Sequence, residues 1–266
     1  MLNGSGGLFR AVVRERRREG DAAHLVLEPG AGFDPAPGQF VHVRPADTGG
    51  TDPLLRRPFS VSDWEPGANR MHLLVRPVGR MSSQLSQLGP GDLLDCMGPL
   101  GRGFPLPSGD GRCILVAGGV GAAPLILLAR KLAGAGLTPE VFLGAQTEKN
   151  LVGTALFASA GAVVSIATDD GSAGEKGLVT DVLARHLPQG EGVAAVYSCG
   201  PRPMLAEVAL MFSAADAYGS FEEYMACGVG ACRGCSIAVG DPGGPTRYAR
   251  VCKDGPVFSL KEVLFE

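Results

Sequence analysis

The first hundred residues consist of short apolar runs separated by turn-forming residues. LFRAVVRER, AHLVLEP, GQFVHVRP, RRPFSVSDW, MHLLVRPV and GDLLDCMGPLG follow one another, with Gly, Pro and Asp between them. Short strands at such close intervals predict an antiparallel β-barrel. The stretch GRGFPLPSGDGR at 101–112 is rich in Gly and Pro and predicts a domain boundary, so we assign residues 1–105 to the first domain.

The pattern changes after this boundary. CILVAGG, PEVFLGAQ, AVVSIATDD and AAVYSCGPR predict strands, whereas VGAAPLILLARKLAGAG, LVTDVLARHL and PMLAEVALMFSAADAYG (203–219) predict helices. Alternation of strand and helix predicts an α/β domain with a parallel sheet of the nucleotide-binding type over residues 106–217. Residues 218–266 contain short strand candidates and no long helix. We expect them to form a small module that depends on a bound metal group.

Composition narrows the class of protein. A net charge of −3 and a pI near 5.9 give no electrostatic reason to expect nucleic acid or an anionic membrane as a partner. No apolar run reaches the roughly 18 residues of a membrane span, and the start MLNGSGGLFR does not resemble a signal peptide. Seven cysteines, an odd number, suit a reducing cytoplasm. The four histidines lack ligand spacing, and we expect them to be surface or strand residues.

Four cysteines near the end of the chain have an informative spacing. Cys227, Cys232 and Cys235 follow a C-x4-C-x2-C pattern, and Cys252 is the distant fourth cysteine. This is the plant-type ferredoxin spacing for a [2Fe–2S] cluster. The small residues between the cysteines allow the backbone to approach the cluster closely. The alternatives are a four-cysteine zinc site, which usually needs two C-x2-4-C pairs, and disulfide bonds.

Arg57-Pro58-Phe59-Ser60 ends a predicted strand of the first domain and resembles the R-x-Y/F-S flavin motif of the ferredoxin-reductase superfamily. A guanidinium can bind a pyrophosphate through two hydrogen bonds. The aromatic ring can pack on the flavin, and the hydroxyl can reach flavin N5. A purely structural Arg-Pro at a strand end is the alternative.

The same resemblance implies two further FAD-contacting segments, formed by Leu74, Val75 and Arg76 on a strand and by Gly79, Met81, Ser82 and Ser83 in a turn. The superfamily turn reads G-x-G-T-x-x-L and holds the diphosphate with its amides and hydroxyl. In this chain Met81 replaces the second Gly and Ser82 the Thr, so Ser82 and Ser83 are both candidates. The alternative is a plain turn that opens a short serine-capped helix.

A glycine-rich turn follows the strand CILVAGG and opens a helix, with candidate nucleotide-binding residues Gly118, Gly119 and Gly121. Backbone amides and the positive end of the helix dipole make such a turn an anion site. Close packing of helix on strand is the alternative. Asp169 and Asp170 end a later strand, and the resemblance places them where NADP-specific relatives have Ser and Arg for the 2′-phosphate. Two carboxylates there would repel that phosphate and could bind the ribose hydroxyls, which favours NAD over NADP. An Asx turn is the alternative there.

Cys199-Gly200-Pro201 ends another strand and resembles the C-G-P-x-x-M motif of the same superfamily. The resemblance implies that Gly200 lets nicotinamide approach and that Cys199 lies near the site of hydride transfer. Cys199 and Ser60 are therefore the predicted catalytic residues. The alternative for Cys199 is a buried structural cysteine.

Taken whole, the chain resembles the electron-transfer subunits of dihydroorotate dehydrogenase type B. The ending MACGVGACRGC…VCKDGPVF matches best, together with RRPFS, GGVGAAP and TDDGSAGEKGLVTD. Glu222 also matches, whereas Tyr224 stands where an Arg is common. The resemblance implies FAD in the barrel, NAD on the parallel sheet and the cluster near the flavin.

The resemblance also implies a partner and a direction. Electrons from dihydroorotate would pass from FMN in a separate catalytic subunit through the cluster and FAD to NAD+, in pyrimidine biosynthesis and in a heterotetramer. Related NAD(P)H:ferredoxin-type reductases and sulfhydrogenase gamma subunits share most of these motifs, so they remain an alternative. A zinc-bearing scaffold without enzymatic activity is the third hypothesis.

Overall fold

The computed structural model describes residues 7–46, 54–107, 109, 111–187, 192–241 and 243–265. Within these ranges the strands are β1 (Gly7–Glu19), β2 (Ala22–Glu28), β3 (Phe40–Pro45), β4 (Arg57–Ser60), β5 (Asp63–Glu65), β6 (Arg70–Val75), β7 (Leu93–Leu100), β8 (Arg112–Gly118), β9 (Pro139–Ala145), β10 (Val163–Thr168), β11 (Glu175–Lys176), β12 (Val193–Cys199), β13 (Ala217–Ser220), β14 (Ser236–Val239), β15 (Arg247–Arg250) and β16 (Val257–Ser259). The α-helices are α1 (Arg80–Leu85), α2 (Ala123–Gly134), α3 (Thr154–Ser159), α4 (Val179–His186) and α5 (Arg202–Met211).

The first seven strands form one antiparallel sheet in the order β4-β3-β7-β1-β2-β6-β5. Successive side chains of a strand point to opposite faces of the sheet, so every second residue of a strand can enter the same core. Leu25 and Leu27 of β2 and Val41 and Val43 of β3 are fully buried in the same core. The sheet curves into a half-barrel, which confirms the antiparallel first domain.

The second sheet has the order β11-β10-β9-β8-β12-β13-β16, and all its neighbouring strands are parallel except β13 and β16. The predicted strand–helix alternation is therefore confirmed. The chain turns in opposite directions from the central pair β8 and β12. Ligands of such sheets bind in the crevice at the carboxyl ends of that pair, where both glycine motifs lie.

One predicted helix is too long. The helix predicted over 203–219 ends at Met211, and Ala217–Ser220 forms β13 instead. The backbone of β13 pairs with β12 on one side and with β16 on the other. Apolar spacing in this segment fits a helix, but pairing with two strands from distant parts of the chain determines its structure.

The cysteine-bearing segment packs together with the nucleotide-binding sheet. Cys235, Ile237 and Val251 belong to the same buried cluster as Val196 of β12 and Leu205 of α5. β16 also completes the second sheet, while β14 and β15 form a separate two-stranded sheet. The segment we expected to be a small module therefore shares its core with the neighbouring domain.

Polar contacts join the half-barrel to the second sheet. Arg130 of α2 binds Asp63 of β5, with Nε–Oδ1 at 2.9 Å. Near the turn between β1 and β2, Asn150 donates to Asp21 at 2.9 Å and the amide of Gly153 donates to Glu19 at 3.0 Å. These contacts fix the crevice between the two sheets.

Candidate functional site

Backbone amides of the cysteine loop point at the cysteine sulfurs. The amide of Gly230 donates to Cys252 Sγ at 3.1 Å, and the amide of Cys232 donates to Cys227 Sγ at 3.4 Å. The amide of Cys252 donates to Cys235 Sγ at 3.4 Å. Donors aimed at sulfur stabilise thiolates, which are the form that binds iron.

The loop needs glycine to reach this geometry. Gly228 and Gly230 have φ of 70° and 80°, in the left-handed region that favours glycine. Arg233 also lies in this region, with φ of 58°. A Cβ at Gly230 would lie 2.7 Å from Cδ of Lys253. The left-handed backbone therefore favours glycine at positions 228 and 230.

The four thiols form two pairs. The side chains of Cys227 and Cys232 interact, as do those of Cys235 and Cys252. In the described part of the chain, no three His, Cys, Asp or Glu side chains converge as a group that could hold a metal ion. Two pairs of thiols are compatible with a [2Fe–2S] cluster, in which each of the two irons takes two cysteine ligands. All four cysteines are free of disulfides.

Acidity and exposure differ across these pairs. Burial alone would raise the pKa of Cys227, but backbone amides, that of Cys232 foremost, lower it to about 6. Burial and the Cys235 thiol raise the pKa of Cys252 to about 12. Cys232 is exposed, whereas Cys235 and Cys252 are only 1% and 2% exposed. One end of the cluster site therefore reaches the surface and the other packs into the core.

In the predicted flavin motif, Arg57 is the accessible arginine. Its guanidinium is exposed and donates to the carbonyl of Leu55 at 2.9 Å. The preceding Arg56 binds both carboxylate oxygens of Asp95 at 2.7 Å, and Arg44 binds the same carboxylate. No carboxylate binds Arg57 among the described residues, so its fork suits a diphosphate.

The rest of the motif lies on β4. Phe59 is half-buried against the core of the half-barrel, and Pro58 and Ser60 are also half-buried. Leu74 and Val75 of β6 are buried, so side-chain contact with a flavin would be limited there. Flavin contacts from these two positions would come mainly from their backbone.

The turn before α1 uses one of the two candidate hydroxyls. Ser82 Oγ accepts from the amides of Val78 and Gly79 and donates to the carbonyl of Gly79, each at 3.0 Å. The serine-capped turn that we gave as an alternative is therefore present. Met81 is buried in the half-barrel core, whereas Ser83 is only half-buried. Ser83 has the more accessible hydroxyl of the two.

Arg76 joins the flavin strand to the second sheet. Its guanidinium binds Asp21 at 2.5 Å, and Asp21 also accepts from Asn150. Arg76 lies close to the glycine-rich turn, because a Cβ at Gly119 would be 3.8 Å from its Nη1. Asp21 carried no recognisable sequence signal, since its partners come from distant parts of the chain.

The two glycine motifs of the second sheet pack against each other. A Cβ at Gly121 would lie 2.3 Å from the carbonyl oxygen of Cys199, and one at Gly200 would lie 3.1 Å from Cα of Gly118. A Cβ at Gly118 would lie 2.8 Å from Cδ of Pro201. Close packing, which we gave as an alternative, therefore explains these glycines structurally, and it also brings both turns to one crevice.

Cys199 is buried, with 1% of its surface exposed, and its thiol interacts with Ser220. Burial, together with the charge of Glu222, raises its pKa well above the ordinary value for a thiol. The thiol is therefore neutral and unsuited to act as a nucleophile. Its position at the carboxyl end of β12 fits a role in shaping the crevice. Its neighbour Ser220 lies outside every sequence motif.

Asp169 and Asp170 are exposed where β10 ends. Asp170 Oδ1 accepts from the amide and the hydroxyl of Ser172, at 2.9 and 2.6 Å, and these bonds lower the pKa of Asp170. The Asx turn is therefore present. Both carboxylates still lie at the carboxyl edge of the sheet, on the side where a nucleotide would bind.

His42 lies between the flavin strand and the cysteine loop. It is a strand residue of β3, as expected for the histidines, and it is 1% exposed. Its ring covers Gly228, where a Cβ would meet the ring at about 3 Å. Burial and the charges of Arg56 and Arg57 lower the pKa of His42 to about 4, so the imidazole is neutral at neutral pH.

Comparison with known proteins gives the family. Residues 222–264 match the iron-sulfur cluster binding domain of dihydroorotate dehydrogenase B. Residues 115–209 match the oxidoreductase NAD-binding domain, and residues 24–104 match the oxidoreductase FAD-binding domain. The order of the three matches along the chain is that of the three structural regions.

Two relatives are named dihydroorotate dehydrogenase B (NAD(+)), electron transfer subunit. The one from Desulforamulus reducens is 43% identical over 86% of this chain and 87% of its own length. The chain belongs to the family of dihydroorotate dehydrogenase B electron transfer subunits. The second relative, from Geobacillus thermodenitrificans, is 45% identical over 86% of each chain. Membership of this family implies a catalytic partner subunit.

A solved structure agrees with this family assignment at the level of fold. A chain of NADH-dependent reduced ferredoxin-NADP oxidoreductase superposes with a TM-score of 0.83 at 28% identity, covering 96% of this chain and 90% of that one. As a family member, this chain is an NAD-linked iron–sulfur flavoprotein of the oxidoreductase class, with binding domains for FAD, NAD and the cluster. None of the helices in the described ranges is long and apolar enough to cross a membrane.

Proposed function

We propose that this chain passes electrons from the FMN of a dihydroorotate dehydrogenase catalytic subunit, through a [2Fe–2S] cluster and FAD, to NAD+. The complex would be a cytoplasmic heterotetramer serving pyrimidine biosynthesis. FAD, when bound, supplies the link, because a flavin exchanges one electron with a cluster and two with nicotinamide. The chain itself binds and positions these groups.

The arrangement of the four cysteines is the observation that carries this proposal. Exposed Cys232 lies at the surface, where a partner protein can approach. Cys235 and Cys252 pack into the core shared with the nucleotide-binding sheet. A cluster held by both pairs would extend from the protein surface toward the interior, as a one-electron carrier between two proteins must.

We further propose roles for the residues around the crevice. The diphosphate of FAD would be bound by Arg57 and the turn at Gly79, Met81, Ser82 and Ser83, and the flavin would be bound along Pro58–Ser60 and Leu74–Arg76. NAD would be bound by Gly118, Gly119, Gly121, Asp169, Asp170, Gly200 and Pro201, with Ser60 and Cys199 next to the reacting rings. Two observations support this assignment. The proposed NAD-binding residues lie at the carboxyl ends of β8, β10 and β12, and Arg76 of the flavin segment lies close to Gly119.

The domain limits also remain a proposal, with a flavin domain at 1–105, a nucleotide domain at 106–217 and a cluster domain at 218–266. The first limit falls after β7 and before β8. The second falls within β13, which pairs with both β12 and β16. We propose that the last two domains fold as one unit.

The experiment reconstitutes the chain anaerobically with its catalytic subunit and measures NADH formation from dihydroorotate. Cys232→Ser should abolish this activity, because serine is a poor ligand for iron, but it should leave most NADH-dependent dye reduction through FAD. Cys113→Ala is the matched control, since Cys113 is a buried cysteine outside the loop. It should retain both activities.

Two results would contradict the proposal. A wild-type complex that forms NADH no faster than the catalytic subunit alone would exclude dihydroorotate as the electron source. Equal loss of both activities in Cys232→Ser would show that the cluster is not a separate electron carrier between the partner subunit and FAD.

The likeness to the NADH-dependent ferredoxin-NADP oxidoreductase supports a second candidate, a reductase that delivers electrons from a reduced nicotinamide to ferredoxin. Ferredoxin and each nicotinamide can be supplied to the same reconstituted chain. Faster turnover with ferredoxin than with the dihydroorotate dehydrogenase subunit would favour this candidate.

A further inference from the structure

His42 lies at the meeting point of the two electron-carrying regions. Its strand, β3, pairs with β4, which carries the flavin motif, and His42 lies opposite Pro58 in that ladder. Residues directly opposite in an antiparallel pair project to the same face of the sheet. Phe40 lies opposite Ser60, so His42 projects on the same side as the predicted flavin-contacting hydroxyl.

The same ring covers the cysteine loop. A Cβ at Gly228 would lie 2.9 Å from His42 Cε1 and 3.0 Å from each ring nitrogen. Gly228 directly follows the predicted ligand Cys227 and has a φ of 70°. Close contact with the imidazole and the left-handed backbone therefore both require glycine at this position.

One ring nitrogen of His42 is buried and has no hydrogen-bond partner in the described part of the chain. His42 Nε2 makes no hydrogen bond among the described residues, although the side chain is 1% exposed. Buried polar atoms are nearly always hydrogen-bonded, because water is no longer available to them. A neutral imidazole has one N–H donor and one acceptor nitrogen. The sulfurs of a [2Fe–2S] cluster are acceptors only, so Nε2–H would be the suitable group.

We propose that His42 donates a hydrogen bond from Nε2 to a sulfur of the [2Fe–2S] cluster, either a cysteinyl sulfur or a bridging sulfide. This inference depends on the cluster required by the proposed function. Hydrogen bonds to cluster sulfurs stabilise the more negative, reduced state and raise the reduction potential. His42 would thereby set the potential of the cluster from the strand next to the flavin motif.

The experiment is an EPR-monitored redox titration of the FAD- and cluster-loaded chain. His42→Phe keeps a ring of similar size but removes the donor, and we expect the midpoint potential of its cluster to shift downward. His42→Gln places an amide N–H near the position of Nε2. The midpoint potential of this variant should therefore lie close to that of the wild type. His24→Phe is the matched control, because His24 is also buried in the half-barrel but hydrogen-bonds to His72; its cluster potential should not change.

A second measurement uses the wild-type protein, so it does not depend on how well the variants fold. Pulsed EPR of the reduced cluster in protein labelled with 15N-histidine should show a coupling to an imidazole nitrogen, and this coupling should be absent from His42→Gln. An unchanged cluster potential in His42→Phe, a shift confined to the flavin, or no histidine coupling in the wild type would overturn the proposal. Absence of any reduced-cluster signal would instead contradict the proposed function.

Discussion

We expect Gly121→Ala to force apart the two turns that form the proposed nucleotide site. A Cβ at this position would lie 2.3 Å from the carbonyl oxygen of Cys199 and 2.7 Å from its carbonyl carbon. Even close C–H···O contacts keep carbon and oxygen about 3.3 Å apart. The obstacle is backbone, which cannot rotate away as a side chain would, so the turns must separate by about 1 Å.

The consequence should be large for catalysis and moderate for stability. Overpacking of this kind costs about 1–3 kcal/mol of unfolding free energy. Misplacement of reacting groups by about 1 Å can cost roughly 100-fold in rate. We therefore expect kcat/KM for NADH in dye reduction to fall between about 10-fold and 100-fold, while the FAD and iron contents stay at wild-type levels.

The assay is steady-state ferricyanide reduction by NADH, combined with urea unfolding. Gly134→Ala is the control, because Gly134 ends α2 and a Cβ there meets nothing within 4 Å. Alanine in a helix should stabilise that variant by about 0.5–1 kcal/mol. Wild-type kinetics and stability in Gly121→Ala would refute the reasoning, since the contact between the turns would then not constrain the site.

Two further variants test electrostatics. Asp170→Arg should raise the ratio of kcat/KM for NADPH to that for NADH by about tenfold, because a guanidinium replaces a carboxylate that repels the 2′-phosphate; an unchanged ratio would remove Asp170 from the ribose site. Asp95→Asn should lose about 1–3 kcal/mol in urea unfolding at neutral pH, because Asp95 binds Arg44 and Arg56. Burial alone would raise the pKa of Asp95, but the hydrogen bonds of these arginines lower it, so the wild-type advantage should be complete above pH about 4 and shrink as pH falls below it. A pH-independent difference would contradict this reasoning.

Local sequence was sufficient wherever a pattern repeats within a few residues. The short apolar runs of β2 and β3 and the strand–turn–helix at Gly118 are such patterns, and the structure contains the corresponding elements. The cysteine spacing lies in the part of the chain that matches an iron-sulfur cluster binding domain. Local sequence was insufficient where pairing with a distant strand determines the secondary structure of a segment. Ala217–Ser220 has helical apolar spacing but pairs with β12 and β16, and a single sequence does not reveal that pairing.

In the candidate site, too, some features follow from local sequence and others depend on the three-dimensional structure. The motifs identified Arg57 and Cys199, but the hydroxyl of Ser82 is used within its own turn. That use depends on the three-dimensional course of the turn, which the residue types do not specify. His42 had no signal, because its ring contacts Gly228, which is far away in the sequence. The motifs therefore leave out both the hydrogen bonds within a turn and the contacts between distant segments.

The pairing of β16 with β13 has a consequence for biosynthesis. Ribosomes synthesise the chain from its N-terminus, so β13 is complete before the cysteine loop and β16 emerge. Until then the nucleotide-binding sheet has an open edge at β13, which can pair with other chains. Cys252 emerges only shortly before β16 does. Iron loading and closure of that edge therefore belong to the same late stage of synthesis, after the flavin-binding sheet is complete.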